Sequence, residues 1–178
     1  QFHLSLQSGC DQTLKRMNRH YTTAEYTEIV NNIRSVFDNP AITTDVMVGF
    51  AGETEEEFKK SVEFVEKTGF AKVHIFPYSR RAGTVADKAP NQVPNSVKKE
   101  RAAIMAKAAE RTRKEFLKSQ IGKIEKVLIE TRNKNGRYEG YTMNYTLVYV
   151  DTDESSIGKI LDVKITDSGD DFCLGDPV

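Results

Sequence analysis

The chain has 178 residues, 38% of them hydrophobic and 29% charged, which is room for one compact domain or one domain with a small appendage. No uninterrupted apolar run approaches the ~18 residues that a membrane span needs, so membrane-spanning, collagen-like and disordered classes are excluded. Lys and Arg number 26 and Asp and Glu number 26, giving a formal net charge of zero that says nothing about a partner until its distribution is known.

Phe2 to Leu6 alternates as a short strand and stops at Gln7-Ser8-Gly9. A helix is predicted from Thr22, where Thr22-x-x-Glu25 is a capping box and Tyr26, Ile29, Val30, Ile33 and Phe37 share one face, ending at Asn39-Pro40. Ala41 to Phe50 reads as a mostly buried strand of the near-continuous apolar kind found in parallel sheets. Thr54-x-x-Glu57 caps a second helix with Phe58, Val62 and Val65 as its stripe and Gly69 as its stop. The strand Ala71 to Phe76 follows. A loop from Ala82 to Asn95 leads to a third helix, Ser96 to about Ser119, with Val97, Ile104, Met105, Ala108 and Phe116 facing inward. Three βα units predict an α/β half with a parallel sheet, because parallel strands need such crossovers.

From Ile121 the pattern holds strands only: Lys126–Thr131, Tyr138–Tyr141, Thr146–Asp151 and Lys159–Thr166, with Asn135-Gly136 as a hairpin signal. Four or five short strands predict a small β-barrel. The expected domains are therefore residues 1–120 and 121–178.

Charge is unevenly spread. Lys98 to Arg137 holds 13 basic and 5 acidic side chains, and Asp151 to Asp176 holds 8 acidic residues and 2 lysines, which reads as two opposed patches. The basic stretch would attract a phosphate backbone, or it is a solvated helix face. Arg132, Lys134, Arg137 and Tyr138 place cations and one aromatic on a barrel hairpin, as an RNA binder would use. Tyr141, Asn144 and Tyr145 would stack on or hydrogen-bond to bases; equally, the tyrosines would be barrel core.

Gly49-Phe-Ala-Gly52-Glu53-Thr54 joins a buried strand to a capped helix, where glycines allow close backbone approach to a ligand or simply make the turn. Gln7 and Ser8 lie at the strand end where parallel α/β sheets place ligands. Asp45, within an apolar strand, calls for a buried partner. Arg16 and Arg19 would fork a carboxylate or are helix-surface charges. Arg80 and Arg81 would contact RNA or are solvated loop residues. His3, His20 and His74 have no zinc-ligand spacing. Cys10 reads as a small residue after a turn and Cys173 as a tail residue. Two cysteines cannot form a disulfide scaffold, no secretory signal opens the chain, and a reducing cytoplasm is the expected location.

Leu6-Gln-Ser-Gly9, Leu14-Lys-Arg-Met-Asn-Arg19, Thr43-Thr-Asp45 leading to Val48-Gly-Phe-Ala-Gly-Glu-Thr54, and Phe76-Pro-Tyr-Ser79 with Arg81, Gly83 and Thr84 occur in order. Together they resemble the radical S-adenosylmethionine (SAM) methylthiotransferases. The tail, through Gly122-Lys123, Val127-Leu-x-Glu130 and Gly140-Tyr-Thr-x-Asn-Tyr145, resembles that family's TRAM domain, a small RNA-binding, OB-like barrel. The resemblance implies a partial parallel (βα)3 half-barrel, the second half of a radical SAM domain, followed by TRAM. It also implies methylthio transfer to C2 of a modified adenosine 37 in the tRNA anticodon loop. Ser5, Cys10 and Arg16-Met-Asn-Arg19 look most like the branch acting on threonylcarbamoyladenosine, with the isopentenyladenosine branch second and a branch modifying a ribosomal-protein aspartate third.

By the same resemblance, Gln7, Ser8, Arg16, Arg19, Val48, Gly49 and Gly52 are candidate SAM residues, and Arg81, Arg132, Lys134, Arg137, Tyr138 and Asn144 are candidate RNA contacts. No residue is a candidate acid, base, nucleophile or metal ligand. The family carries two 4Fe–4S clusters, one on C-x3-C-x2-C and one on three further cysteines, and this chain has neither set. It therefore reads as a C-terminal piece of a longer enzyme, unable by itself to cleave SAM reductively. A half-barrel with an unpaired edge is also expected to self-associate. The alternative is a stand-alone RNA-binding module with a non-catalytic scaffold.

Overall fold

Thr22 and Thr54 start the two long helices that flank the central strand. Each threonine hydroxyl accepts the amide three residues on, and Glu25 and Glu57 return a carboxylate to the threonine amide, so both expected capping boxes are complete. The structure, a computed structural model, describes residues 1–134 and 136–178. It contains two compact units, Phe2–Thr112 and Arg113–Val178, and among the described residues no helix is long and apolar enough to cross a membrane.

The first unit runs β1 (Phe2–His3), α1 (Asp11–Arg16), α2 (Thr23–Val36), β2 (Ile42–Val48), α3 (Glu55–Thr68), β3 (Lys72–Pro77), α4 (Val85–Lys88) and most of α5 (Asn95–Lys118). The strands form the expected parallel sheet in the order β1-β2-β3. Ile42, Val46 and Val48 of β2 pack with Leu6, Tyr26, Val30, Phe58, Val65, Phe70 and Met105 in one core. Each fully buried side chain of this size contributes about 1.5–3 kcal/mol.

The first strand is shorter than its alternation predicts, because side chains take over its ladder. After His3, Thr44 Oγ1 accepts the Leu6 amide at 2.9 Å and donates to the Leu4 carbonyl at 2.6 Å, and the Tyr26 and Tyr21 hydroxyls donate to Leu4 and Ser5 carbonyls. Pairing returns only as a bridge between Gln7 and Val46. The short helices α1 and α4 carried no periodic signal, being only one or two turns long.

Three residues expected to face inward do not. Ile29 and Phe37 are 49% exposed and Ile104 is 40% exposed, although the Phe37 ring packs on Phe2 at 4.9 Å. In α5 the buried stripe is Lys98, Arg101, Met105, Ala108, Thr112 and Phe116, a regular i, i+3, i+4 series that passes beside Ile104. Two of its members are charged, which hid it from a hydrophobic reading.

The second unit is a closed barrel, in the order β4-β5-β6-β8-β7, of β4 (Ile124–Arg132), β5 (Tyr138–Thr142), β6 (Leu147–Val150), β7 (Ile160–Ser168) and β8 (Cys173–Pro177). β6 and β8 pair in parallel and the other neighbours are antiparallel. Val127, Ile129, Tyr138, Val148, Val150, Val163, Ile165 and Cys173 fill it. Asn135, half of the hairpin signal, lies outside the described residues, while the strands on either side, β4 and β5, pair as expected. Cys173 is no tail residue: it opens β8 and is wholly buried, and burial pushes its thiol up to about 11. β8 is a strand beyond those expected from the sequence. In the barrel, a Cβ at Gly175 would lie 2.5 Å from Val163 Cγ1, so that glycine permits the strand to close.

Candidate cofactor and RNA-binding sites

Of the candidate cofactor residues, Ser8, Arg16, Gly49 and Gly52 have polar atoms engaged by the chain itself. Ser8 is fully buried and its hydroxyl accepts the Cys10 amide at 3.3 Å. The Gly49 amide donates to Glu53 Oε2 at 2.7 Å, and the Gly52 amide donates to the Asn91 carbonyl at 2.9 Å. Both glycines have positive φ, 72° and 78°. A Cβ on Gly49 would meet Lys98 Cγ at 2.4 Å, and one on Gly52 would meet Arg16 Cδ at 3.3 Å, so protein side chains fill the space these glycines leave. Val48 is buried in the core, Gln7 is half-buried with φ of 65°, and Arg19 is exposed.

Arg16 forms an ion pair with Glu57, the glutamate of the second capping box, and reaches Thr13 Oγ1 at 3.3 Å. Burial pushes the Glu57 carboxyl up, but the Thr54 amide, Arg16 and Thr13 together hold it below the ordinary carboxylate value. Sequence reasoning missed the neighbouring pair altogether. Glu53 Oε2 lies 2.7 Å from Arg101 Nη1, with the side chains 1% and 7% exposed. Burial raises the Glu53 carboxyl despite the opposing Gly49 amide and Arg101 guanidinium. The signal that could have found the pair was a lone arginine in the i, i+3 register of the α5 core positions.

Two grooves flank the end of β3. One, of about 480 Å3, is lined by Met47, Phe76, Pro77, Ser79, Arg81 and Thr84 among others; the second, of about 540 Å3, opens beside α5. Of the residues singled out in the sequence, Arg81 lines the first groove and Arg80 the second. Asp45 accepts from the Ser5 hydroxyl at 3.0 Å and lies 3.2 Å from His3 Nε2, but these partners are exposed and its own side chain is 27% exposed, so the expected buried partner is not found. Among the described residues no group of three or more His, Cys, Asp or Glu could hold a metal ion. Cys10 and Cys173 lie in different units, so the residues present do not fit a 4Fe–4S cluster.

On the barrel, Arg132 Nε donates to the Gly136 carbonyl at 3.0 Å and its guanidinium lies 5.6 Å from the Tyr138 ring centre. Tyr138 is a core residue, 7% exposed. Lys134 and Arg137 are exposed. Asn144 Oδ1 accepts from Thr142 Oγ1 at 2.6 Å, Thr146 Oγ1 at 2.7 Å and the Thr146 amide at 3.2 Å, tying the β5–β6 turn. Tyr141 and Tyr145 are 40% and 69% exposed. The opposed charge patches partly meet: Asp162 pairs with Lys126 at 2.9 Å, Asp170 with Lys114 at 2.9 Å and Asp171 with Arg113 at 3.7 Å. Folding brings the acidic tail onto the basic stretch because β7 and β8 close the barrel beside β4 and the end of α5.

Residues 1–65 match the family model of the radical SAM superfamily, and residues 118–178 match that of the TRAM domain. The tRNA-2-methylthio-N(6)-dimethylallyladenosine synthase of Oceanobacillus iheyensis is 41% identical over 168 residues, covering 93% of this chain and 32% of that protein. Over 93% of its length this chain is similar to the radical SAM methylthiotransferases. The threonylcarbamoyladenosine tRNA methylthiotransferase MtaB of Bacillus subtilis is 37% identical over 172 residues, covering 94% of this chain and 38% of its own. The chain thus spans about a third of the length of the curated relatives it matches. A conserved protein of Methanococcus maripaludis, solved in solution, matches 33% of this chain over 79% of its own at 28% identity, with a TM-score of 0.29.

Proposed function

We propose that this chain works as part of a tRNA methylthiotransferase that adds a methylthio group to C2 of a modified adenosine 37 in the anticodon loop, with threonylcarbamoyladenosine as the first choice of substrate and isopentenyladenosine as the second. The observation that carries this reading is the succession of a radical SAM match and a TRAM match in one chain, which aligns over 93% and 94% of its length with about a third of a tRNA-2-methylthio-N(6)-dimethylallyladenosine synthase and of a threonylcarbamoyladenosine tRNA methylthiotransferase.

SAM, when bound, supplies the radical and methyl chemistry, and a cluster held outside these residues would be needed to use it. The groove of about 480 Å3 fits the nucleoside end of that cofactor by its chemistry. Met47, Phe76 and Pro77 offer an apolar wall to a purine, and the Arg81 guanidinium offers a fork to an acidic group. The barrel's part is to hold RNA, with Lys134 and Arg137 on phosphates and the exposed Tyr141 and Tyr145 rings open to bases. This chain positions substrate and excludes water; it places no residue as acid, base or nucleophile.

A second reading, an RNA-binding module on a non-catalytic scaffold, is favoured by one observation: the Gly49 amide, the Ser8 hydroxyl and the Arg16 guanidinium are all engaged internally. Calorimetric titration of the 178-residue chain with SAM, and separately with an anticodon stem-loop RNA at two salt concentrations, separates the two. Saturable, salt-dependent RNA binding together with SAM binding supports the enzyme reading. RNA binding without SAM binding supports the module, and absence of RNA binding sinks both. The chain alone is expected to release no 5′-deoxyadenosine from SAM under reducing conditions.

A further inference from the structure

We propose that the groove between the end of β3 and the first turns of α5 is a phosphate-binding site. The groove, about 540 Å3 in volume, is lined by Tyr78, Ser79, Arg80, Asn95, Lys98 and Lys99, together with Pro77 and Ala102. Its three cationic side chains face one space.

Lys98 is the central observation. It is 6% exposed, yet among the described residues it makes no ion pair or hydrogen bond through its ammonium, which sits 5.1 Å from the Tyr78 ring centre. The other buried cation of α5, Arg101, is matched by Glu53. No acidic residue lines the groove into which this ammonium opens, and an anion bound there would supply the missing partner. The position of Lys98 is also built into the backbone. Its stem occupies the space opposite Gly49, where any Cβ would come within 2.4 Å of Lys98 Cγ. The glycine of the β2 turn, expected to admit a ligand, instead admits the lysine that would bind one.

The surroundings agree. Lys99 is exposed and unpaired among the described residues, and Arg80 is held in place by Asp87, Nε to Oδ1 at 2.8 Å and Nη2 to the Asp87 carbonyl at 2.9 Å. The first turn of α5 has no acidic residue, and the Lys98 amide is bonded to the Pro94 carbonyl, so the amides at 95 to 97 lie ahead of the helical ladder. Lysines at a helix N-terminus oppose its dipole, whereas an anion there suits the lysines and the amides together. Cationic residues, the polar residues Ser79 and Asn95, and the start of a helix around one cavity match a tetrahedral phosphate with several free oxygens.

Two sources share that chemistry: a backbone phosphate of RNA, which rests on the function proposed above, and a free phosphorylated small molecule. The test is a nitrogen-15 amide shift titration of the 178-residue chain with inorganic phosphate, then with a single-stranded RNA oligonucleotide. Saturable shifts at Ser79, Lys98 and Lys99 are expected with phosphate. Lys98→Met, which keeps the stem against Gly49, should weaken them at least fivefold, while Lys126→Met, on the barrel, leaves them unchanged. Should Lys98→Met fail to fold, Lys99→Met, at an exposed position, is expected to weaken binding at least twofold. RNA that shifts the same amides and is displaced by phosphate supports the backbone source. RNA that shifts barrel amides only, with the phosphate response intact, supports the small-molecule source and leaves the RNA reading of the barrel standing. RNA that shifts nothing while phosphate still binds overturns that RNA reading but supports the groove. No saturable phosphate or RNA response at the groove overturns the proposal, as does a folded Lys98→Met that binds like the parent.

Discussion

Arg101 donates from Nη1 to both the carboxylate and the backbone carbonyl of Glu53, at 2.7 and 3.0 Å, while its guanidinium lies 5.3 Å from the Phe58 ring centre. Glu53 in turn receives the Gly49 amide, so one buried carboxylate joins the β2 turn to α5. Breaking such a pair leaves an uncompensated charge in the core. Arg101→Met is expected to destabilise the first unit by about 3–5 kcal/mol. The double variant with Glu53→Gln should lose less than the sum of the single changes. Urea unfolding followed by tryptophan-free far-ultraviolet dichroism measures both, and additivity would contradict the coupling.

Glu57 serves a capping box and Arg16 at once. Its folded carboxyl is held below the ordinary value of 4.5, so the stability it adds is present above that value and is lost as pH falls through the lowered one. Glu57→Gln should therefore lower stability near neutral pH and flatten the acid limb of the stability profile. A variant whose acid limb matches the parent would show that the pairing contributes nothing in solution.

Gly140 lies where β4 slips register between Ile129 and Thr131, and a Cβ there would fall 2.0 Å from the Leu128 carbonyl oxygen. Backbone cannot yield as a side-chain tip can. Gly140→Ala is expected to cost about 3 kcal/mol or more and to lower the melting temperature of the barrel. An unchanged melting curve would mean that β4 and β5 sit farther apart than described.

Asn144 and Lys134 separate structure from binding. Asn144→Ala removes three accepted hydrogen bonds from the β5–β6 turn and should cost about 1–3 kcal/mol in stability while leaving the RNA affinity of folded protein nearly unchanged. Lys134→Ala with Arg137→Ala should leave stability within about 0.5 kcal/mol and reduce the slope of RNA affinity against salt by about 1–2. If the assignments are exchanged, with Asn144→Ala hurting affinity and the cations hurting stability, this division of roles is wrong.

Much of the fold was legible because its signals are local. Thr22 and Thr54 cap the helices they were expected to cap, Gly69 ends α3 with φ of 66°, and the alternation from Lys126 onward became barrel strands. What escaped depended on contacts distant in sequence. β1 was cut short by the hydroxyl of Thr44, forty residues away from Leu4. β8 holds a glycine whose reason is the neighbouring Val163, a contact that only the closed barrel makes. That Tyr138 packs in the barrel core and that Asn144 ties the β5–β6 turn was likewise not legible, because an aromatic or amide on a hairpin suits several roles.

The sequence by itself determined the long helices and the main strands, the change from α/β to all-β, and the family resemblance, since caps, periodicity and motifs are properties of neighbouring residues. Only the tertiary structure decided what the charges do. The zero net charge resolved at first into a basic stretch and an acidic tail, yet Asp162, Asp170 and Asp171 fold back onto Lys126, Lys114 and Arg113. Glu53 claims Arg101, and Lys98 is left buried without an acid at the edge of a groove. Pairing depends on distance through space rather than along the chain, so composition can count charges but only the fold can show which of them remain available to a ligand.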